Sequence, residues 1–144
     1  MGPVRVARVD PAAALADLTE ISSQIETAVL LDGEGGVLAS TPPGGGAAGR
    51  LADAAQALLA AAREAPTSAG RELTQLEVAL AEGSVFVVRG EGRTIAATTV
   101  QEPTAGLVLY DLRTCLRSLA AAPEPPQRRT RSRRTPADPE AAGA

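Results

Sequence analysis

A chain of 144 residues with a net charge of −3 is long enough for one domain with a buried core. It contains no His and a single Cys, which excludes His-based acid–base chemistry, His metal sites, Cys clusters and an internal disulfide. All 14 basic residues are Arg, and Phe86 and Tyr110 are the only aromatics, so the core must be aliphatic and closely packed. No apolar run approaches the roughly 20 residues needed to span a bilayer. The first residues, MGPVRVARVD, lack the apolar stretch of a secretion signal, and a cytoplasmic protein is the simplest expectation. Residues 1–122 carry nine Arg against 14 acidic residues, whereas residues 123–144 carry five Arg against three. The acidic body disfavours a nucleic-acid surface, and only the tail is basic.

Residues 1–9 form a lead without a clear period. Asp10-Pro11 then reads as a helix start, because Asp accepts from free N–H groups and Pro fits the first helical position. Leu15, Leu18, Ser22 and Ile25 follow at helical spacing with Ile21 beside them, which predicts a first amphipathic helix over residues 11–25. The runs ETAVLLD (26–32) and VLAST (37–41) flank a glycine-rich turn and predict a hairpin. A phosphate-cradling loop is the competing reading of Gly33, Gly35 and Gly36. It lacks the Lys-Ser/Thr pair of such loops, and no helix follows the glycines directly. Residues 42–49 (PPGGGAAG) read as a flexible connector.

A second helix is predicted over residues 50–65. Asp53, Gln56, Ala60 and Arg63 form one narrow stripe, and nearly everything else is Ala or Leu. Leu51, Ala55, Leu58 and Ala62 make an apolar row that Ala54, Ala57, Leu59 and Ala61 widen beyond what one sheet face needs. Either the helix is Ala-rich because Ala is the best helix former, or it packs on its own sheet and on a second subunit. Both readings stay open at this point.

Residues 73–100 predict a meander of three strands, broken at Glu82-Gly83 and at Gly90-Glu91-Gly92. In the first run Leu76, Val78 and Leu80 alternate with Gln75, Glu77, Ala79 and Ala81, the period of a strand with one well-buried face. The second, from Val85 to Val88, is apolar on both faces and belongs between covered neighbours. The third, 94–100, is β-branched and small throughout. Arg89 and Arg93 flank the glycine turn and read as exposed side chains. A third helix starts after Gln101-Glu102-Pro103 with Thr104 as its N-cap, and Leu109, Leu112, Leu116 and Leu119 form its stripe beside Val108 and Cys115. Cys115 reads as a small core residue, since no activating base accompanies it. Pro123 ends the order, and residues 123–144 have the composition of a disordered tail. Its Arg cluster at 128–134 suits a weak contact with a polyanion; a solvated tail without a specific partner is the other expectation.

The order helix, two strands, helix, three strands, helix resembles the Roadblock/dynein-light-chain family, particularly its bacterial single-domain members. The resemblance covers about residues 10–121 and rests on the hairpin TAVLLDGEGGVLAS, the meander LEVALAEGSVFVVRGEGRTIAATTV and the closing helix PTAGLVLYDLRTCLRSL. It implies an α+β domain over residues 10–122: a five-stranded antiparallel sheet with the second helix on one face and the first and third on the other. It also implies a homodimer paired through the third strand and the second helix. That would place Leu51, Ala54, Ala57, Leu58, Ala61, Leu76 and Val78 at the interface, and would cover an edge strand that otherwise exposes unpaired backbone groups.

Members of this family commonly act as non-enzymatic regulators or adaptors of small Ras-like GTPases, or as subunits of larger assemblies, so the resemblance implies a GTPase partner as the leading expectation and no cofactor, metal or catalytic residue. The alternative is a small-ligand sensor of profilin-, PAS- or GAF-like build. A sensor needs a concave pocket with convergent polar groups, and the meander offers almost none. An enzyme has no nucleophile–base pair to build on. The long basic tail and the scarcity of aromatics are where this chain departs from the family's pattern.

Overall fold

A computed structural model describes residues 10–44 and 46–121. The lead at 1–9, the tail at 123–144 and its Arg cluster at 128–134 lie outside the described residues. The chain forms α1 (Pro11–Ile21), β1 (Ile25–Leu31), β2 (Val37–Thr41), α2 (Gly46–Glu64), β3 (Gln75–Leu80), β4 (Gly83–Gly90), β5 (Arg93–Thr99) and α3 (Ala105–Ala121), with a short 3-10 turn at Pro66–Ser68. The strands build one antiparallel sheet in the order β2-β1-β5-β4-β3. α2 therefore carries the chain from one sheet edge, β2, to the other, β3.

Asp10 caps α1 as expected: its carboxylate accepts from the Ala13 N–H at 3.1 Å, with Pro11 in the first turn. The helix stops at Ile21, four residues earlier than its spacing predicts. Ser22 leaves the helical conformation while its N–H still donates to the Leu18 carbonyl. Ser22 and Ser23 compete for backbone hydrogen bonds and sustain a helix poorly. Ile25 is then freed to open β1, where it is buried, while Ile21 is left 74% exposed. α2 differs the other way and begins at Gly46, inside the predicted connector. Ala47 and Ala48 are strong helix formers, and Ala48 adds a buried contact in line with Leu51, Ala52 and Ala55.

The sheet is apolar on both faces at its centre, and the residues paired across its strands show how each face is filled. On one face Phe86 pairs with Ala97 and Ala97 with Ala28, so the one large ring lies beside two small residues. The next row on that face is Val88, Ile95 and Leu30. α1 and α3 close over both rows with Leu15, Leu18, Val108, Leu112, Cys115 and Leu116. On the opposite face the row Val87, Ala96, Val29 lies under Leu51, Ala52, Ala55 and Leu59 of α2. Alanine at Ala28, Ala96 and Ala97 lets helices approach closely, which is how a core with one Phe still fills its volume. α3 is held at its start by Thr104, whose N–H donates to the Gln24 side chain and whose carbonyl accepts from Leu107 and Val108.

The β1–β2 turn closes on the Asp32 carboxylate, which accepts from the N–H groups of Glu34 at 2.8 Å and Gly36 at 2.9 Å. These bonds, Gly36 first, hold the Asp32 pKa below the usual carboxylate value. A depressed folded-state pKa means a contribution that is complete above the unfolded pKa of about 3.9 and lost as pH falls through the folded value. Thermal unfolding of the parent chain and Asp32→Asn should thus differ most near neutral pH and converge in acid. A gap that widened in acid would contradict this.

The β3–β4 turn depends on Gly83, at φ +151°, where an added Cβ would collide with the Thr99 carbonyl oxygen. Gly92 also has positive φ, at +74°, yet faces open space. Gly83→Ala should therefore lower stability by more than about 1 kcal/mol and by clearly more than Gly92→Ala in denaturant unfolding. Equal losses would overturn the close-approach argument.

Candidate functional site

α2 sits on β1 and β5 through one buried row, Leu51, Ala52, Ala55 and Leu59. Beside that row Ala54, Ala57 and Ala61 are exposed at helical spacing, with Leu58 half-buried among them. On the sheet, the pairs Leu76–Val87 and Val78–Val85 place Leu76 and Val78 on this same face. Both are half-buried, and Leu80, next in the alternation, is 61% exposed. The expectation that this face of β3 is well buried is therefore corrected. α2 lies mainly over β1 and β5, so β3 and the Val85 end of β4 receive little cover from it.

Of the seven residues singled out from the sequence, six share this open side: Ala54, Ala57, Leu58, Ala61, Leu76 and Val78. Leu51 does not, because its side chain is buried in the chain's own core. Leu80 and Val85 extend the strip and were missing from that set, although the alternation Leu76, Val78, Leu80 already carried the signal. β3 is also a sheet edge, and among the described residues one side of its backbone has no ladder partner.

At one end of the strip the β3–β4 turn borders an open cleft of about 260 Å³ lined by Glu26, Leu80–Val85, Thr98 and Thr99. The Thr99 hydroxyl is already engaged: it accepts from the Ser84 N–H at 3.2 Å and donates to the Val100 carbonyl at 3.0 Å. A second open cleft of about 190 Å³ lies between α3 and the β4–β5 turn, lined by Val88, Arg89, Gly90, Glu91, Arg113, Leu116 and Arg117. Arg89 and Arg93 are half-buried, where the sequence suggested exposed side chains.

Cys115 is buried against α1, and burial, aided by Asp17, pushes its thiol up to about 11. It is protonated at neutral pH and a poor nucleophile. The N–H groups of Glu34 and Gly36, which a phosphate would need, already donate to Asp32. Among the described residues no three His, Cys, Asp or Glu side chains converge as a metal site, and no helix is long and apolar enough to cross a membrane. What this geometry can offer is surface: an apolar strip beside an open strand edge.

Comparison with known proteins agrees with that architecture. Residues 12–100 match the family model described as the Roadblock/LC7 domain. A Roadblock/LC7 domain from Streptomyces avermitilis superposes with a TM-score of 0.67 at 23% identity, over 78% of this chain and 94% of that one. The gliding protein MglB from Thermus thermophilus gives 0.61 at 18% identity, over 83% and 96%. MglB from Myxococcus xanthus gives 0.58 at 17% identity, over 76% and 91%. At these identities the likenesses establish the shared fold. No curated protein matches the chain. With the family model spanning more than half of its length and the same three-helix, five-stranded architecture in these structures, the chain belongs to the Roadblock/LC7 family.

Proposed function

We propose that this chain is a non-enzymatic homodimeric module that binds a small Ras-like GTPase in the cytoplasm and orders its switch regions. The observation that carries the reading is the apolar strip of Ala54, Ala57, Leu58, Ala61, Leu76, Val78 and Leu80 beside the open edge of β3. A second copy offers the matching strip by two-fold symmetry, and its own β3 completes the ladder. A pairing of this kind suits a standard interface of roughly 1,600 Å².

Since Ala54, Ala57 and Ala61 are exposed in the single chain, charge at these positions leaves its own core intact. Ala57→Glu should therefore scatter light as a folded monomer at micromolar concentration, where the parent chain scatters as a dimer. A parent chain that is a stable monomer would refute the pairing.

The GTPase partner follows from what members of the family commonly do. A GTPase is slow alone because water and developing charge are poorly positioned, and a partner corrects this by supplying an Arg or by ordering the switch loops. Arg89 and Arg93 are held in the ends of β4 and β5 and do not stand on a projecting loop, so ordering without an inserted Arg is the mechanism assigned here. A pull-down against a co-expressed GTPase loaded with GDP or a GTP analogue should show nucleotide-dependent binding, reduced by Ala57→Glu. Absence of binding in both states discards the GTPase reading. In a hydrolysis assay Arg89→Ala and Arg93→Ala should have small effects; a loss of about a thousandfold from either, the size of an arginine finger, contradicts the mechanism.

A further inference from the structure

Charge divides this chain sharply along its length. Residues 1–112 carry seven Arg against 14 acidic residues, and residues 113–134 carry seven Arg against Glu124 alone. The basic stretch begins inside the fold, at Arg113 and Arg117, one turn apart and exposed on α3. With Leu116 they form the helix wall of the 190 Å³ cleft whose opposite wall is the end of β4 and its turn. Val88 and Leu116 are buried and give that cleft an apolar floor. Towards the start of α3, Leu107 and Tyr110 continue the line at intervals of three residues, 48% and 62% exposed.

We infer that this cleft and the adjoining face of α3 dock an acidic segment of a partner protein, pairing its carboxylates with Arg113 and Arg117 and laying an apolar side chain beside Tyr110 and Leu116. Guanidinium groups suit carboxylates because both are planar and pair through two parallel hydrogen bonds. The chain's own basic tail has the wrong sign to fill the cleft. In sequence it follows α3 directly, and its five Arg carry the same sign as Arg113 and Arg117. An anionic bilayer fits less well. On this side of the sheet α1 presents exposed Asp17 and Glu20, and Glu91 stands at the cleft rim, so a flat anionic surface meets like charges there. A long nucleic acid meets the same groups, whereas a short peptide confined to the cleft avoids Asp17 and Glu20 and meets Glu91 alone, against Arg89, Arg113 and Arg117. The site lies on the sheet face opposite α2, and so stands apart from the pairing surface proposed above.

The test uses the full chain and three probes: a short fluorescent peptide of Asp, Glu and Leu, a fluorescent oligothymidylate of equal charge, and vesicles containing phosphatidylserine. The peptide should bind saturably and weaken as salt rises. Arg113→Glu with Arg117→Glu should weaken it by about tenfold or more, with melting temperature and oligomeric state unchanged. Arg113→Gln with Arg117→Gln should give an intermediate loss, and serves as the measurement if the charge reversal does not fold. Neutralising the five tail Arg should weaken binding less than the reversal on α3. The inference is overturned by any of three results: no saturable peptide binding, peptide binding that survives both double substitutions, or tighter binding to the oligothymidylate or the vesicles than to the peptide.

Discussion

A sheet whose central strands are apolar on both faces must be covered on both, and here the two covers are unequal. Strands are spaced about 4.8 Å apart, so five of them span roughly 19 Å, whereas one helix with its side chains is about 10 Å wide. Two helices, α1 and α3, match one face. α2 alone has to serve the other, and it lies mainly over β1 and β5. The apolar residues that this leaves short of cover, Leu76, Val78, Leu80 and half-buried Val85, follow from that mismatch in width.

The same arithmetic gives meaning to the alanines of α2. A helix that met only one sheet would need the row Leu51, Ala52, Ala55 and Leu59 and could be polar elsewhere. Instead Ala54, Ala57 and Ala61 continue the apolar surface round the helix towards solvent. Small side chains there let another helix approach closely, and the uncovered face of β3 lies on the same side of the sheet. The α1/α3 side is different in kind. Its outer surface is charged, with acidic groups on α1 and basic ones on the C-terminal half of α3. One module thus presents an apolar side suited to self-pairing and a charged side suited to recognition of something else.

Most of the fold was legible because its signals are local. Alternation and glycine placement located β2 exactly where it lies and the breaks between β3, β4 and β5 within a residue or two. Thr104 marked the start of α3. The ends of α1 and α2 were misjudged because helical spacing is ambiguous there: Ile25 continues the stripe of α1 as well as it opens β1. In the connector, Gly46 and Gly49 obscured the helix-forming Ala47 and Ala48. The burial of the β3 face could not be read at all. Alternation says that one face is apolar, but whether anything lies over it depends on the path of α2 across the sheet, which no local pattern encodes. For the same reason Leu51 could not be separated from Ala54 and Ala57 within one broad apolar arc, and the meeting of Arg113 and Arg117 with the β4–β5 turn joins segments far apart in the chain.

The central claim, that β3 is completed by a second copy, is tested most directly by amide exchange along that strand. The Arg89 N–H donates to the Thr74 carbonyl, and in this register the bonds to β4 fall at Leu76 and Val78. The N–H groups of Gln75, Glu77 and Ala79 accordingly point away from β4, towards the open edge. Measured by NMR at concentrations where the chain is paired, these three amides should exchange as slowly as those of β4. If they exchange at the rate of a free peptide while β4 stays protected, β3 is an open edge and the account of the dimer is wrong.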